Sequence, residues 1–311
     1  MKKAIIIDGN SIAYAAQNSR PLKTGAGEPV QAIYGALRTI KRIRTESEEA
    51  KLVVLWDSVK DWRTVEYPEY KGERESTEEL KIMRAELKAQ RPKIAASLFY
   101  LGVDQLSAEG FEADDLAWVL GSRFEKAGYT IDYYTGDMDW LQLITENSRW
   151  VDPIKDRMCD LKSFEEMTKV SDHHAFVQFK ALKGDKSDNL HGIPGIGEKT
   201  ARELLAEFGS VARLFSHYDK SGEFPAKAFE SGTLNRVRKK INEFCGSESL
   251  REAYFFNVRL MDLRNAPKPS KEQLKITKGK FDMLKFKRLC EEHQFKSILN
   301  TLDNWQSTFE A

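Results

Sequence analysis

The chain opens with Ala4-Ile5-Ile6-Ile7, an unbroken apolar run that stops at Asp8-Gly9-Asn10. A run of this kind suits a strand buried on both faces, which a parallel sheet covered by helices provides. Leu52-Val53-Val54-Leu55-Trp56 repeats the pattern and stops at Asp57. Two further candidate strands, around residues 103–106 and 129–135, precede Glu112-Ala113-Asp114-Asp115 and Gly136-Asp137-Met138-Asp139-Trp140. In an open α/β sheet the carboxyl ends of the strands line the ligand crevice. Each strand therefore delivers carboxylates to the same edge, and four such coincidences in succession are hard to attribute to helix capping.

Three of these acids stand within four residues, in Gly110-Phe111-Glu112-Ala113-Asp114-Asp115-Leu116-Ala117. Carboxylates that close repel one another unless cations sit between them. The apolar spacing of Phe111, Ala113, Leu116 and Ala117 puts them at the start of a half-buried helix, whose dipole offsets part of their charge. Taken alone, the stretch reads equally well as acid-rich capping on a solvated surface.

Further along, a helical pattern over residues 173–182 runs into Gly184-Asp185-Lys186-Ser187-Asp188-Asn189. Asp185 and Asp188 are three apart, close enough to serve one site from a turn. The candidate set is then Asp8, Asp57, Glu112, Asp114, Asp115, Asp137, Asp139, Asp185 and Asp188. All-oxygen ligation selects Mg²⁺ or Mn²⁺ over zinc, and nine acids exceed what one Mg²⁺ uses. Two metal ions ~3.5–4 Å apart suit in-line phosphodiester hydrolysis, one generating hydroxide and the other stabilising the leaving oxygen.

Composition narrows the alternatives. The formal charge of +1 hides a partition: with the nine acids set aside, 49 basic residues face 39 acidic ones, as a phosphate-binding surface needs. No stretch is long or apolar enough for a membrane span, and the apolar segment after Met-Lys-Lys is too short for a secretory signal. Cys159, Cys245 and Cys290 lie far apart, which suggests neither a disulfide framework nor a thiolate zinc site. A cytoplasmic protein is expected, in the host cytoplasm if the chain is a phage's. The five histidines assemble into no competing site.

After Asp188 comes Leu190-His191-Gly192-Ile193-Pro194-Gly195-Ile196-Gly197-Glu198-Lys199-Thr200-Ala201, which opens a helix. Glycines let a backbone approach phosphate closely, and N–H groups at a helix start bind it without reading a base. Gly192, Gly195, Gly197, Lys199 and Thr200 are thus candidate contacts to a nucleic-acid backbone; a tight interhelical turn is the plain alternative. Between the second and third strands, Tyr67-Pro68-Glu69-Tyr70-Lys71-Gly72-Glu73-Arg74 leads into a helical run to about residue 101. Its apolar stripe (Leu80, Met83, Leu87, Ile94, Leu98, Leu101) lies beside a basic one (Arg74, Lys81, Arg84, Lys88, Arg91), and Pro92 is expected to kink or divide it. The basic stripe reads either as a solvated face or as a lid over single-stranded nucleic acid, with Tyr67 or Tyr70 for stacking.

These motifs, in this order, resemble the 5′ nuclease (flap endonuclease-like) family, which includes phage 5′-to-3′ exonucleases and the N-terminal nuclease domain of bacterial DNA polymerase I. The resemblance covers roughly residues 4–260 and implies an α/β, PIN-like (resolvase-like) fold. Its mostly parallel sheet would be flanked by helices and carry a helical arch at about 63–101, within a catalytic domain at 1–170. A helical, SAM-fold-like domain at 171–311 would follow, with a helix-three-turn-helix at about 180–210. By the resemblance, Asp8, Asp57, Glu112 and Asp114 form the first metal cluster with Asp115 near both; Asp137, Asp139 and Asp188 form the second, with Asp185 outer-sphere. Lys71 and Arg74 match the basic residues at the base of the arch, and the glycine-rich segment matches a duplex grip that in relatives also binds K⁺.

The implied activity is Mg²⁺-dependent 5′-to-3′ exonuclease and flap endonuclease action on DNA 5′ flaps, 5′ ends and duplex junctions. RNA-primer removal from RNA–DNA hybrids would accompany it, leaving a 5′-phosphate and a 3′-hydroxyl. A monomer is the family default, and no docking tail for a polymerase or single-strand-binding protein is recognisable. A PIN-like endoribonuclease would have no need of the 192–199 segment, and a silent DNA-binding module would be free to lose acids that are all present here. A haloacid-dehalogenase-type phosphatase would want Asp-x-Asp where Asp8-Gly9-Asn10 supplies one acid. Residues 215–245 and 265–311 carry no placed motif; the Lys- and Phe-rich end is expected to be a helical cap with snorkelling lysines.

Overall fold

The computed structural model describes residues 2–47, 49–59 and 61–310, which form two compact units. The first comprises residues up to Trp62, Glu75–Met158 and the chain from Lys268 onward; the second comprises Arg63–Arg74 and Cys159–Pro267.

In the first unit the two apolar runs and the two further candidate strands are β1 (Lys2–Asp8), β2 (Lys51–Trp56), β3 (Asp104–Ala108) and β4 (Tyr129–Tyr134). With β5 (Ser148–Asp152), β6 (Arg157–Cys159) and a last strand at Leu274–Thr277 they make one sheet, ordered β6-β5-β4-β1-β2-β3-(274–277). The β1–β2, β2–β3, β1–β4 and β4–β5 pairs are parallel, and the last strand runs antiparallel to β3. Because β1 pairs with β2 on one side and β4 on the other, the chain reverses its direction of winding there. That reversal is the crevice position of doubly wound sheets. Asp8 sits at the C-terminal end of β1, and Asp57 follows β2 directly.

Ile5, Ile7, Val54 and Trp56 point to one face, against the helices Gly9–Gln17, Gln31–Thr45 and the buried half of Glu78–Tyr100. The opposite face carries the helix Ala113–Lys126, where a Cβ on Gly121 would fall 1.9 Å from the Tyr133 hydroxyl. Only glycine allows that approach.

Two features sharpen the sequence pattern. Of the two outcomes expected at Pro92, division does not occur: the helix runs continuously from Glu78 to Tyr100. Burial of Ile94 and Leu98 on one side of the proline holds one turn; on the other, Gln90 donates to Gln17 and accepts the Ala32 N–H. The C-terminal stretch belongs to the first unit, whereas the boundary at 170/171 groups it with the helical domain. Phe286, Phe295, Trp305 and Phe309 enter the same core as Ile5 and Val54, so the aromatic residues fill a sheet face. Lys287 and Lys296 between them remain at the surface, as does Lys278 upstream, on Asp104 at 2.7 Å.

The second unit is helical, built from His173–Lys183, Glu198–Phe208, Val211–Ser221, Gly232–Gly246 and Glu248–Met261. Leu182, Ala201, Leu204, Leu214, Phe244 and Tyr254 are buried there. A two-residue hairpin, Gly184–Asp185 with Leu190–His191, closes so tightly that a Cβ on Gly192 would lie 2.3 Å from the Lys183 carbonyl. Among the described residues no helix is long and apolar enough to cross a membrane.

Candidate active site and nucleic-acid interface

In the first unit each acid is fixed by the turn that follows its strand. Asp8 caps the helix Gly9–Gln17: Oδ1 accepts the Ser11 N–H at 2.9 Å, and Oδ2 accepts the Thr135 hydroxyl at 2.9 Å. The Thr135 oxygen in turn accepts the Asp137 N–H at 3.0 Å, which ties the end of β1 to the loop after β4. A Cβ on Gly9 would sit 2.7 Å from the Trp56 ring, so glycine is what lets this helix start against β2. Asp8 is 5% exposed. Burial, and then the negative charge of Asp57, push its carboxyl up to about 7. Two acids in one another's field, with one this buried, make the charged form of Asp8 costly.

The stretch after β3 folds as its pattern predicts. Glu112 is the N-cap of Ala113–Lys126, and its N–H donates to Asp115 Oδ2 at 3.1 Å. Asp115 is fully buried and also accepts the Trp62 indole N–H at 3.2 Å, so it braces the turn from beneath. Asp114 Oδ1 accepts the Trp140 indole at 2.7 Å, and Asp57 Oδ1 accepts the Ala113 N–H at 2.9 Å. Asp57 thus lies at the positive end of that helix. After β4, Asp137 is exposed, with Oδ1 accepting the Asp139 N–H at 2.8 Å and its carbonyl accepting the Trp150 indole at 2.9 Å. Thr135, Trp62, Trp140 and Trp150 were not singled out from sequence. Trp140 follows the Gly-Asp-Met-Asp motif directly, and that adjacency was the available signal.

In the second unit the acids are held by cations. Asp185 receives the buried Lys180 ammonium at 3.0 Å and the Ser187 N–H and hydroxyl at 2.9 and 2.6 Å. Burial would raise its pKa, but Lys180 and these hydrogen bonds outweigh that and bring it down to about 2. Asp188 takes the Arg74 guanidinium on Oδ1 at 2.7 Å and the Tyr70 hydroxyl on Oδ2 at 3.2 Å. The segment from Tyr67 to Arg74 is pinned to this loop by its backbone as well. Lys71, at φ 58°, donates its N–H to the Asp188 carbonyl at 3.0 Å, and Asn189 Nδ2 reaches the Glu69 carbonyl at 3.0 Å. Lys71 and Arg74 are therefore brought together with Asp188, and Lys180 is the charged partner that sequence reading missed.

Tyr70 does not offer a stacking surface: it is 6% exposed, with the Lys71 ammonium 4.8 Å from its ring centroid. Tyr67 remains half-exposed, its hydroxyl on the Asn189 carbonyl at 3.1 Å. Thr200 likewise turns inward and is buried, while Lys199 is exposed with Glu203 3.8 Å away. Gly195, at φ 82°, packs where a Cβ would lie 2.7 Å from Lys240. Gly197 caps Glu198–Phe208 with an ordinary negative φ and nothing within 4 Å of a Cβ position. Neither backbone nor packing requires glycine there, which leaves the surface over this helix start open.

The basic stripe on Glu78–Tyr100 is split. Lys81 pairs with Glu78 at 3.6 Å, Arg84 lies over the Tyr14 ring at 5.9 Å, and Lys88 is exposed. Arg91 instead turns inward, over Trp56.

Comparison with known proteins agrees with this architecture. The N-terminal resolvase-like domain of 5′-3′ exonucleases matches residues 3–172, and their C-terminal SAM fold matches residues 171–265. The 5′-3′ exonuclease of Aquifex aeolicus is 32% identical over 312 aligned residues, covering 97% of this chain and 96% of that one. Thermostable DNA polymerase I of Thermus filiformis is 35% identical over 219 residues, 70% of this chain but only 25% of the polymerase. The chain thus matches about a quarter of such polymerases. The phage T5 5′-exonuclease, solved with divalent zinc, superposes with a TM-score of 0.68 at 21% identity, covering 99% of both chains. With both domains present in sequence order and a full-length relative at 32% identity, the chain belongs to the 5′-3′ exonuclease family.

Proposed function

We propose that this chain is a Mg²⁺-dependent nuclease that hydrolyses phosphodiesters at or near the 5′ ends of duplex and flapped DNA, in replication or repair. Removal of RNA primers belongs to the same activity. The observation that carries this reading is the row of carboxylates at the C-terminal ends of β1–β4, where Asp8 is pushed up to about 7. Such a set fits a hard divalent cation: the donors are carboxylate oxygens, and the acid in the field of Asp57 is destabilised in its charged form without one. Asp8, Asp57, Glu112 and Asp114 would hold one ion, and Asp137, Asp139 and Asp188 a second, with Asp115 and Asp185 behind them. Bound there, Mg²⁺ or Mn²⁺ supplies Lewis acidity toward the scissile phosphate and lowers the pKa of the attacking water.

The chain's own residues do the rest. Lys71 and Arg74, fixed beside Asp188, present positive charge to the reacting phosphate and stabilise the charge that builds up on it. The open helix start at Gly197, with Gly192, Gly195 and Lys199, holds duplex phosphates through main-chain N–H groups, so binding is independent of sequence. Backbone carbonyls of the same segment are the proposed K⁺ ligands. Lys81, Arg84 and Lys88 face a 5′ single strand along their helix, and Tyr67 is the aromatic residue left for a base. In this reading residues 1–170 carry the chemistry, with the arch at 63–101, and the helices after 171 carry the duplex grip.

The test is cleavage of a 5′-labelled duplex with a 5′ flap, beside a blunt duplex and a single-stranded RNA, with and without Mg²⁺. Metal-dependent cutting near the flap junction is expected, and the blunt-end ladder measures the exonuclease share. Cutting of the RNA alone, or tight flap binding without cutting, would overturn the proposal.

A further inference from the structure

Arg91 lies on the same helix as the basic stripe yet is turned inward and half-buried. Its guanidinium sits over the Trp56 indole, 5.2 Å from the ring centroid, and Nη2 donates to the backbone carbonyl of Asp57. The stack and the hydrogen bond together fix the plane of the guanidinium. Trp56 is itself locked: its indole N–H donates to Gln105 Oε1 at 2.8 Å, and Gln105 Nε2 donates to the Ala95 carbonyl at 2.9 Å. Arg91 and Ala95 are one helical turn apart, so the helix Glu78–Tyr100 grips the end of β2 at two adjacent points. Asp57 is consequently held from both directions, its backbone by Arg91 and its carboxylate by the Ala113 N–H.

The charge at this place is as informative as the geometry. Burial lowers the pKa of Arg91, and the charges of Asp57 and Asp8 act to raise it, so the guanidinium lies in the field of both acids. A surface arginine would meet water instead.

We propose that Arg91 is a positioning residue for the Asp8–Asp57 pair, fixing the backbone from which Asp57 projects and standing as the resident counter-charge of the two acids before a divalent ion arrives. The inference rests on reading these acids as metal ligands. It has two consequences of opposite sign. The hydrogen bond and stack align Asp57, which favours turnover; the positive charge repels an incoming cation, which weakens metal binding in the absence of DNA.

Arg91→Gln removes the charge and the stacked fork, while Arg91→Lys keeps the charge and loses the fork. Titration calorimetry with Mn²⁺ on DNA-free protein should show Arg91→Gln binding ~3–10-fold more tightly than the wild type, as expected for loss of one screened charge nearby. Arg91→Lys should bind Mn²⁺ within about twofold of the wild type, because its charge is retained. Both variants should lose ~10-fold in kcat at saturating metal with little change in KM for a flap substrate, the sign of a misplaced catalytic group. Unchanged Mn²⁺ affinity in Arg91→Gln, with only a lower melting temperature, would make Arg91 a packing residue and overturn the inference. So would absence of Mn²⁺ binding to the wild type. If the wild type binds Mn²⁺, the variants separate as stated, and no DNA is cut, the proposed function fails while the role of Arg91 stands. If the wild type cuts flaps and the variants match it, the reverse holds.

Discussion

The acids of the two units are held in opposite ways. In the first, the carboxylates of Asp8, Asp57, Asp114 and Asp115 receive neutral donors: main-chain N–H, a threonine hydroxyl and two indoles. In the second, Asp185 and Asp188 are met by Lys180 and Arg74. Burial and the charge of Asp57 push Asp8 up to about 7, which its neutral hydrogen bonds only partly offset. Burial of Asp185 is instead outweighed by Lys180 and the Ser187 hydrogen bonds, which bring it down to about 2. In the first unit, Asp8 stays raised although the Arg91 charge lies in the field of the pair, and a divalent cation there would relieve it. In the second, part of the compensation for Asp185 and Asp188 comes from the chain's own Lys180 and Arg74.

The sharpest way to break this contrast is to delete an acid from the first set. Asp57→Ala or Asp114→Ala should abolish cleavage, a loss beyond ~10³-fold, while flap binding survives. Single-turnover assays with a parallel gel-shift check it, and full activity in either variant would sink the metal assignment. Lys71→Ala should slow the chemical step by ~10²–10³-fold, because its proposed charge acts on the phosphate while the carboxylates remain.

Removing the cation of the second set should act on stability instead. Lys180→Met leaves Asp185 largely buried without its ammonium partner, and breaking such a pair costs ~3–5 kcal/mol. Urea unfolding measures this. Lys180→Met with Asp185→Asn should recover much of the loss, since no uncompensated charge remains.

The two units should also titrate in opposite directions. For Asp8 the folded pKa is raised, so the metal-free folded state binds more protons than the unfolded one between pH ~4 and about 7. Its contribution to stability is therefore present at low pH and is lost as pH rises through that window. For Asp185 the folded pKa is depressed, so its contribution is present above pH ~4 and is lost as pH falls toward about 2. Thermal melts across pH in chelator should show the first slope, and Asp8→Asn should erase it. Added Mg²⁺ should flatten it as well, because a bound cation removes the preference for the protonated form.

Much of this was legible in the sequence because the period of the pattern was unambiguous. Two continuous apolar runs closed by acids name parallel strands and their crevice edge, and both are strands, as are the two further candidates near 103–106 and 129–135. The hidden parts depend on contacts remote in sequence. Trp62 reaches Asp115 and Trp140 reaches Asp114 across 53 and 26 residues, and no spacing rule relates them. Tyr70 looked available for stacking because tyrosine beside lysine and arginine reads as a nucleic-acid surface; its burial follows from the hydroxyl reaching Asp188, 118 residues on. Arg91 shares the helical spacing of Arg84 and Lys88, and the placement of Trp56 and the Asp57 carbonyl draws it inward. The tail escaped for a related reason: Phe286 and Trp305 complete a sheet face formed by β1 and β2, far back in the chain.

The smallest expected effect concerns the outer surface of the second unit. Lys199 is exposed, and its nearest acid, Glu203, is 3.8 Å away on the same helix face, an ion pair worth little in water. If this helix start holds duplex phosphates, Lys199→Ala should weaken binding only a few-fold near physiological salt, equally for unrelated sequences. The slope of log affinity against log salt should drop by about 1, the signature of one lost phosphate contact. Gly197→Ala is the companion change: its φ is ordinary and its Cβ meets nothing within 4 Å, so the fold should tolerate it. Weaker duplex binding at unchanged stability would place the phosphate against that backbone. Equal binding by Gly197→Ala and by Lys199→Ala would move the duplex off this helix and leave the contrast between the two acid sets standing without it.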